Sequence, residues 1–172
     1  MKNKTNFRIR LNLFCSQEKY MTREALKCVY FKDGFAYATD AHILIKHKLS
    51  FEDCINCSLL EDKFISSNDF AQLLKADIIE ATEKGILADG ILCPYAKNVG
   101  VFPNVEIAMP KMVEQVEQVV LNPKELKTIL SAFPLSRWNM RIIFCGTDKA
   151  AKIIFQEFED TTVIIMPKKD WE

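Results

Sequence analysis

The chain has 172 residues, of which 49% are hydrophobic and 27% are charged, the balance of an ordinary soluble globular protein. This length suffices for one good core, or for two small packed units that share one. The 23 basic and 23 acidic residues give a formal net charge of zero. Strong DNA binders usually have a clear basic excess, so the composition argues against strong DNA binding by the chain alone.

The charge is unevenly distributed along the chain. Residues 1–50 hold 10 basic and 4 acidic side chains, residues 51–118 hold 5 and 12, and residues 119–172 hold 8 and 7. Any contact with DNA is therefore expected to be weak, local or dependent on assembly. The polar start predicts no secretory signal, and no stretch reaches the roughly 18 apolar residues of a membrane helix, so we expect a cytoplasmic protein without a membrane partner.

Six cysteines occur, and without a secretory signal they are interpreted as reduced thiols. Cys54 and Cys57 have the one spacing that is typical of a metal site. A zinc ion would need two further ligands, and His42 and His47 lie five apart on one strand-like stretch. We therefore predict no metal and no cofactor, and favour a loop that carries two thiols.

The first 62 residues are predicted to be rich in strands. Residues 7–13 alternate apolar and polar side chains, which predicts a strand with one buried face. Residues 26–31 and 35–38 form β-rich runs joined by a hairpin signal at Lys32-Asp33-Gly34. Residues 42–49 continue the strand character, and an acidic loop follows.

A strand, a capped helix and further strands are predicted twice in the remaining chain. The first copy has a strand at 63–66, a helix at 68–75 capped by Ser66 or Ser67, and further strands at 78–81 and within 85–93, with turns at Lys84-Gly85 and Asp89-Gly90. The second copy has a strand at 119–121, the cap and first turn Asn122-Pro123, a helix at 124–133, and strands at 141–145, 151–158 and 161–166. The first fifty residues fit the same unit with its helix lost or reduced. Repeated βαβββ units predict an α+β fold with helices on one face of antiparallel sheets.

Three segments of the chain, in order, resemble the β sliding clamp of bacterial DNA polymerase III. Residues 29–42, which end Thr39-Asp40-Ala41-His42, are similar to a hairpin of the clamp's middle domain. Residues 101–110, with Phe102-Pro103-Asn104, are similar to the segment that joins its middle and last domains. Residues 120–167, which end Ile165-Met166-Pro167, are similar to its final helix and strands.

The resemblance implies a DNA-clamp-like fold in a shortened, divergent chain. Residues 1–101 would form two units of a middle-domain-like part, the first with a reduced helix. Residues 102–172 would form the latter half of a last-domain-like part. Clamps are rings that enclose DNA, but about three units are too few to indicate whether a ring forms or how many subunits it has.

The resemblance also implies a cleft that binds short linear peptides of a DNA polymerase or other replication proteins. Carried over by position, the cleft consists of Thr39, Ala41, His42, Ile43, Leu44, Pro103, Ala108, Ile164 and Met166. Aliphatic and Met side chains make an adaptable apolar pocket. Ala41 replaces a Gly of the family and Ile43 replaces an Arg, which leaves open whether the cleft functions. Adjacent strand residues such as Ile43 and Leu44 cannot both face one side, so core and cleft roles both stay open for this region.

For double-stranded DNA, the resemblance implies contacts from the helices that would line a ring. Lys75 belongs to the first predicted helix, and Lys124 and Lys127 share a face of the second. A solvated helix surface explains the same lysines. Basic residues near the N-terminus (Lys2, Lys4, Arg8 and Arg10) either contribute to binding or protect a strand edge.

Catalysis is not predicted. Asp40 and His42 lie two residues apart and could form an acid–base pair, but no nucleophile motif or phosphate-binding loop accompanies them. A redox role for Cys54 and Cys57 would need a helix that lowers a thiol pKa. Three hypotheses result: a clamp-like replication accessory that associates with DNA as a homo-oligomer, a clamp-derived peptide-binding adaptor that does not encircle DNA, and a small enzyme or metal-binding protein.

Overall fold

The computed structural model describes residues 7–111, 113, 116, 118–134 and 139–168. Across these ranges there is no helix with the length and apolar character needed to cross a membrane. The strands are β1 (Cys28–Lys32), β2 (Phe35–Thr39), β3 (Ile43–Lys48), β4 (Lys63–Ser66), β5 (Ile79–Ala81), β6 (Gly85–Ala88), β7 (Ile91–Pro94), β8 (Met140–Ile143), β9 (Ala151–Phe155) and β10 (Thr161–Ile165). The α-helices are α1 (Ser67–Leu73), α2 (Val105–Ala108) and α3 (Pro123–Ala132), and 3-10 helices lie at Leu11–Phe14, Glu24–Lys27 and Cys57–Leu60.

The strands form two antiparallel sheets. Seven of them follow the order β4-β1-β2-β3-β10-β9-β8, and the other three follow the order β5-β6-β7. In the larger sheet, β10 pairs with β3 from Thr161 opposite His47 to Ile165 opposite Ile43. Segments assigned to the two predicted domains therefore share one sheet, and the boundary between residues 101 and 102 stays a prediction.

The longer helices begin where their caps predict. The Ser66 side chain accepts a hydrogen bond from the backbone N–H of Asp69, at 3.1 Å, and so starts α1. Asn122 caps α3 by accepting from the N–H of Lys124 at 2.9 Å, and Pro123 occupies the first turn, where its missing N–H costs no hydrogen bond. The cap signals thus fixed both helix starts to within one residue.

The predicted strand at residues 7–13 is wrong. Its apolar side chains are buried and its arginines are exposed, as the alternation indicates, but the segment forms no strand and ends in the 3-10 helix Leu11–Phe14. The backbone N–H of Arg10 donates to the carbonyl of Ala132, at the end of α3, over 2.8 Å. This 3-10 helix contacts both α1 and α3, and the reduced helix of the first unit stays a prediction. The predicted strand at 119–121 is likewise reduced to one bridge, between Val120 and Lys168.

Both faces of the large sheet are covered. Ile43 of β3 and Val163 of β10 belong to the main core, which includes residues of α1, α3 and both sheets. Leu44 and Ile164, their neighbours, point to the opposite side because strand side chains alternate. We call these sides the helix face and the outer face. The outer cluster consists of Ala25, Tyr37, Leu44, Phe102, Val105, Ala150 and Ile164. The α+β class with antiparallel sheets is confirmed: α1 and α3 lie on the helix face and, of the described α-helices, only the four-residue α2 packs on the outer face.

Candidate functional site

A groove of about 560 Å³ lies beside the outer cluster, within the range of about 300–1,000 Å³ that is usual for ligand sites. Four segments form it: the β2–β3 turn, the chain around the end of α2, the chain between β8 and β9, and the end of β10. Its lining residues are Ala41, Ile107, Ala108, Met109, Pro110, Lys111, Cys145, Lys149, Ala150 and Met166. We call it the outer groove.

The β2–β3 turn supplies one wall and is fixed by side-chain hydrogen bonds. The Thr39 hydroxyl donates to the Ile43 carbonyl at 2.7 Å and accepts from the N–H of Ala41 at 3.1 Å. The Asp40 carboxylate accepts from the N–H groups of His42 and Ile43, both at 2.8 Å. Thr39 and Asp40 are thus committed to holding the turn, which leaves Ala41 at its tip facing the groove.

Ala41 has a backbone φ of 81°, a region that L-residues other than Gly rarely adopt. The position where the resemblance implies a Gly has therefore kept the backbone that Gly favours, although the residue is Ala. A left-handed conformation costs a non-Gly residue about 1–2 kcal/mol. The turn carries this strain in the wall of the groove.

Replacing Ala41 with Gly is expected to stabilise the protein by about 0.5–1 kcal/mol, because relief of strain exceeds the added entropy of the unfolded chain. Thermal unfolding should show a midpoint higher by about 1–3 °C. Gly34→Ala is the matched control, since Gly34 has a φ of 75° and a Cβ there would meet nothing within 4 Å. That variant should be destabilised by a similar amount. A lower midpoint for Ala41→Gly would contradict the assigned backbone conformation.

Met166 forms the opposite wall. Its backbone N–H donates to the His42 carbonyl at 2.9 Å, which extends the pairing of β3 and β10 by one step. By alternation its side chain lies on the outer face, as does that of Ile164, and it is 39% exposed. Leu44 and Ile164, which are register partners, lie beneath with Ala150 and Met109, two residues that also line the groove. The floor is therefore core, whereas Met166 is accessible.

Helix α2 supplies the third wall. Asn104 caps it by accepting from the N–H of Glu106 at 3.0 Å. Glu106 also pairs with Lys46 of β3 at 3.3 Å, and this Lys ammonium lies 4.6 Å from the centre of the Phe35 ring. Val105, buried in the outer cluster, packs α2 against the sheet, while Ile107 of the same helix is 82% exposed. An exposed Ile beside an exposed Met is typical of an interaction surface.

The predicted cleft residues fall into four groups, two at the groove, one at its edge and one elsewhere. Ala41, Ala108 and Met166 line the outer groove, and Leu44 and Ile164 support it from below. His42 is exposed beside it, and the Thr39 side chain is buried within the turn.

Ile43 and Pro103 lie elsewhere. Ile43 faces the helix side and is 1% exposed, because alternation places it opposite Leu44. Pro103 lines a neighbouring groove of about 510 Å³ together with Tyr30, Phe64 and Phe102, and α2 separates it from the outer groove. Sequence reasoning missed Ile107, Lys111 and Lys149, whose placement depends on how loops pack.

The lysines predicted to contact DNA are all exposed. Lys75 follows α1, and its ammonium donates to the Gln72 side chain at 3.0 Å. Lys124 and Lys127 lie on α3, one turn apart. Helices α1 and α3 both pack on the helix face, so these lysines lie on the side of the sheet away from the outer groove. Lys2 and Lys4 lie outside the described residues, and Arg8 pairs with Glu157 at 2.9 Å.

The geometry gives little support to the two alternatives, an acid–base pair of Asp40 and His42 and a redox or metal site at Cys54 and Cys57. The Asp40 carboxylate accepts hydrogen bonds from the backbone N–H groups of His42 and Ile43. This carboxylate therefore stabilises the turn rather than pairing with the His42 ring. Burial raises the pKa of the Cys54 thiol to about 12, the opposite of what a reactive thiol needs. Among the residues that the structure describes, no three His, Cys, Asp or Glu side chains are grouped to hold a metal ion.

A hydroxyl–imidazole–carboxylate chain does occur inside the fold, unforeseen from sequence. The His47 ring lies 2.8 Å from the Thr161 hydroxyl through Nδ1 and 3.3 Å from the Asp53 carboxylate through Nε2. Ser50 completes the chain by donating to Asp53 from its N–H and its hydroxyl, at 2.8 and 2.9 Å. Thr161 is 1% exposed and cannot reach a substrate. The arrangement ties β3 to β10 and to the loop after β3.

A scan against protein-family models finds no match, and a search of curated protein sequences finds none either. Solved structures do match. A DNA polymerase sliding clamp from Bacillus subtilis is 16% identical with a TM-score of 0.66, over 94% of this chain and 61% of that chain. A sliding clamp from Pseudomonas aeruginosa, solved with a ligand, is 13% identical with a TM-score of 0.62, over 95% and 64%.

A third match is a Caulobacter crescentus β sliding clamp. Polyethylene glycol is bound there to a proposed β-motif tethering region. This clamp is 11% identical with a TM-score of 0.68, over 94% of this chain and 62% of that chain. The chain thus spans about three fifths of the length of these clamps while nearly all of it is matched. The chain has the fold of the bacterial DNA polymerase III β sliding clamps, in a highly divergent sequence.

Proposed function

We propose that the chain is a non-catalytic, clamp-like accessory of cytoplasmic DNA replication that holds partner proteins by short peptides in the outer groove. One observation carries the proposal. Ala41, Ala108 and Met166, which the resemblance assigns to a peptide cleft, come from three distant segments and line one groove. Ala41 and Met166 are both accessible there, as a binding surface requires.

The groove suits reversible peptide binding. Its walls are mainly apolar, with a Met and an exposed Ile that can adapt to an incoming side chain. Burying one or two apolar anchors would contribute roughly 1.5–3 kcal/mol each. The floor is supported by the outer cluster, so the groove is largely preformed and little ordering free energy opposes binding.

Titration of a labelled clamp-type peptide tests the proposal. Met166→Ala is expected to weaken binding by about 1–2 kcal/mol, or about 5- to 30-fold, because it removes an apolar contact from the wall. Met140→Ala is the matched control: Met140 is 38% exposed, like Met166, but lies on β8 outside the groove. No binding by the wild type, or equal effects of the two variants, would contradict a peptide-binding groove.

A second candidate function, encirclement of double-stranded DNA by an oligomer, is favoured by the exposed pair Lys124 and Lys127 on the helix face. If it operates, the mass in solution should correspond to several subunits. The assembly should also stay on circular DNA but slide off linear DNA. Charge reversal at both lysines should reduce retention and its salt dependence. A strict monomer that never retains circular DNA would contradict encirclement and favour an adaptor that does not encircle DNA.

A further inference from the structure

A second groove on the outer face is walled by aromatic rings. We call the groove of about 510 Å³ that Pro103 lines the aromatic groove. In its wall the Tyr30 ring stacks on Phe64 and on Phe102, with ring centres 4.4 and 5.1 Å apart. Tyr37 extends the wall, its ring centre 6.3 Å from that of Phe102. Tyr30 and Phe64 are only partly buried, so an incoming side chain can reach them.

Acidic side chains line the same groove. They outnumber the basic ones three to one: Asp33, Asp62 and Glu106 against Lys32. The Asp62 carboxylate accepts from the Tyr30 hydroxyl at 2.7 Å and from the Lys32 ammonium at 3.4 Å, and both contacts reach the same oxygen, Oδ1. Within the described ranges, no hydrogen bond or ion pair engages its Oδ2 or the Asp33 carboxylate. The groove therefore carries negative charge that its own lysine does not neutralise.

Cations already lie on aromatic rings at this end of the sheet. The Lys46 ammonium is 5.8 Å from the centre of the Tyr37 ring and pairs with Glu106 at 3.3 Å, and Tyr37 and Glu106 both line the groove. The Lys63 ammonium of β4 lies 5.7 Å from the centre of the Tyr95 ring. These distances are those of cation–π contacts. The fold thus pairs a cation with a ring and a carboxylate at the edge of the aromatic groove.

We propose that the aromatic groove binds an arginine side chain presented by a partner protein. A guanidinium group is planar, so it can stack on an aromatic ring while it donates hydrogen bonds to a carboxylate. The groove offers both partners, the stacked rings around Tyr30 and the open carboxylate oxygens of Asp33 and Asp62. Carboxylates repel phosphates, which disfavours nucleic acid as the occupant. The groove is separate from the outer groove, so this binding does not depend on the proposed function.

Three versions of one labelled peptide test this binding, with Arg, Lys or citrulline beside a Leu and flanked by Gly and Ser. Citrulline keeps the shape of arginine without its charge. Fluorescence anisotropy should show the Arg peptide bound about five- to twentyfold more tightly than the citrulline peptide, with the Lys peptide between them. The preference should shrink at about 1 M salt, where the screening length falls to about 3 Å.

Replacement of the carboxylates should remove the preference. Asp33 and Asp62 have φ values of 50° and 56°, which Asn adopts readily, so Asn at these positions leaves the turns intact. Asp33→Asn should weaken binding of the Arg peptide about two- to fivefold, and the double variant with Asp62→Asn should bring the Arg and citrulline peptides within about twofold. Asp89→Asn is the matched control, with a φ of 48° and the same change of charge outside the groove. It should keep the wild-type order.

The rings are tested by Tyr30→Leu, with Tyr30→Phe as the control that keeps the ring. Tyr30→Leu should weaken binding of the Arg peptide about three- to tenfold relative to Tyr30→Phe. Equal binding of the Arg and citrulline peptides by the wild type, or equal losses in Asp33→Asn and Asp89→Asn, would overturn the arginine site and leave the proposed function standing. Loss of the Arg peptide in Met166→Ala but not in Asp33→Asn would move the peptide to the outer groove and also overturn it.

Two other occupants of the aromatic groove have distinct signatures. Self-association that Asp33→Asn and the Arg peptide both abolish would make a second copy of the chain the source of the arginine, which would overturn a separate partner. Displacement of the Arg peptide by a short oligonucleotide, at a concentration at which the same charge of simple salt has no effect, would assign the groove to nucleic acid and overturn the proposal. Displacement by free arginine but not by free citrulline would support it.

Discussion

Ile164→Ala is expected to lower the free energy of unfolding by about 2–5 kcal/mol, whereas Met166→Ala should lower it by less than about 1 kcal/mol. The two residues lie two positions apart on the same face of one strand and its extension. Ile164 is 1% exposed and packs in the outer cluster, so its truncation leaves a cavity beneath α2. Met166 is 39% exposed and leaves none. Urea denaturation of both variants measures the difference.

This comparison separates the core role from the cleft role, which the sequence left open for both residues. Ile164→Val should be intermediate, at about 0.5–1.5 kcal/mol, because it removes one methylene group and leaves a smaller cavity. In peptide titrations the two variants should weaken binding for different reasons. Met166→Ala removes a contact with the peptide, whereas Ile164→Ala loosens the floor beneath the groove. A similar loss of stability in Ile164→Ala and Met166→Ala would contradict the assignment of Ile164 to the core and Met166 to the groove wall.

Much of the sheet could be predicted from the sequence because its signals are local. Alternating β-rich runs, the turn at Lys32-Asp33-Gly34 and the caps Ser66 and Asn122 fixed elements that the structure confirms within one to three residues. The alternation at residues 7–13 misled because it reports burial of every second side chain, which a strand and an extended segment packed under helices share. Helix α2 was missed because four residues carry no helical periodicity.

The site was predictable only where it lies on strands or next to them. Alternation alone indicated that Ile43 and Leu44 must face opposite sides, and the structure assigns Leu44 to the groove floor. Lys111 and Lys149 could not be foreseen as lining one groove, because their positions depend on how two loops pack on the sheet. The hydrogen-bonded group of His47, Asp53 and Thr161 was not predicted either, because His47 and Thr161 are 114 residues apart in sequence.

Phe70→Ala is expected to be among the most destabilising single substitutions, at about 3–5 kcal/mol. Phe70 of α1 is fully buried, and its ring centre lies 4.8 Å from that of Phe7. Phe7→Ala should also be strongly destabilising, because Phe7 is only 4% exposed and belongs to the main core. Phe51→Ala is the matched control, because Phe51 is 75% exposed, and its effect should stay within about 0.5 kcal/mol.

The double variant Phe7→Ala, Phe70→Ala tests what the N-terminal segment does in the fold. If residues 7–14 replace the missing helix of the first unit, the two effects should be coupled by about 0.5–1.5 kcal/mol, as expected for an aromatic pair in contact. A neutral Phe7→Ala would make the segment a detachable tail, whereas simple additivity of two large effects would mean that the two rings do not stabilise each other. The hydrogen bond from Arg10 to Ala132 joins the same segment to α3. A coupled result would therefore mean that residues 7–14 join α1 to α3 in one helical layer on the helix face of the sheet.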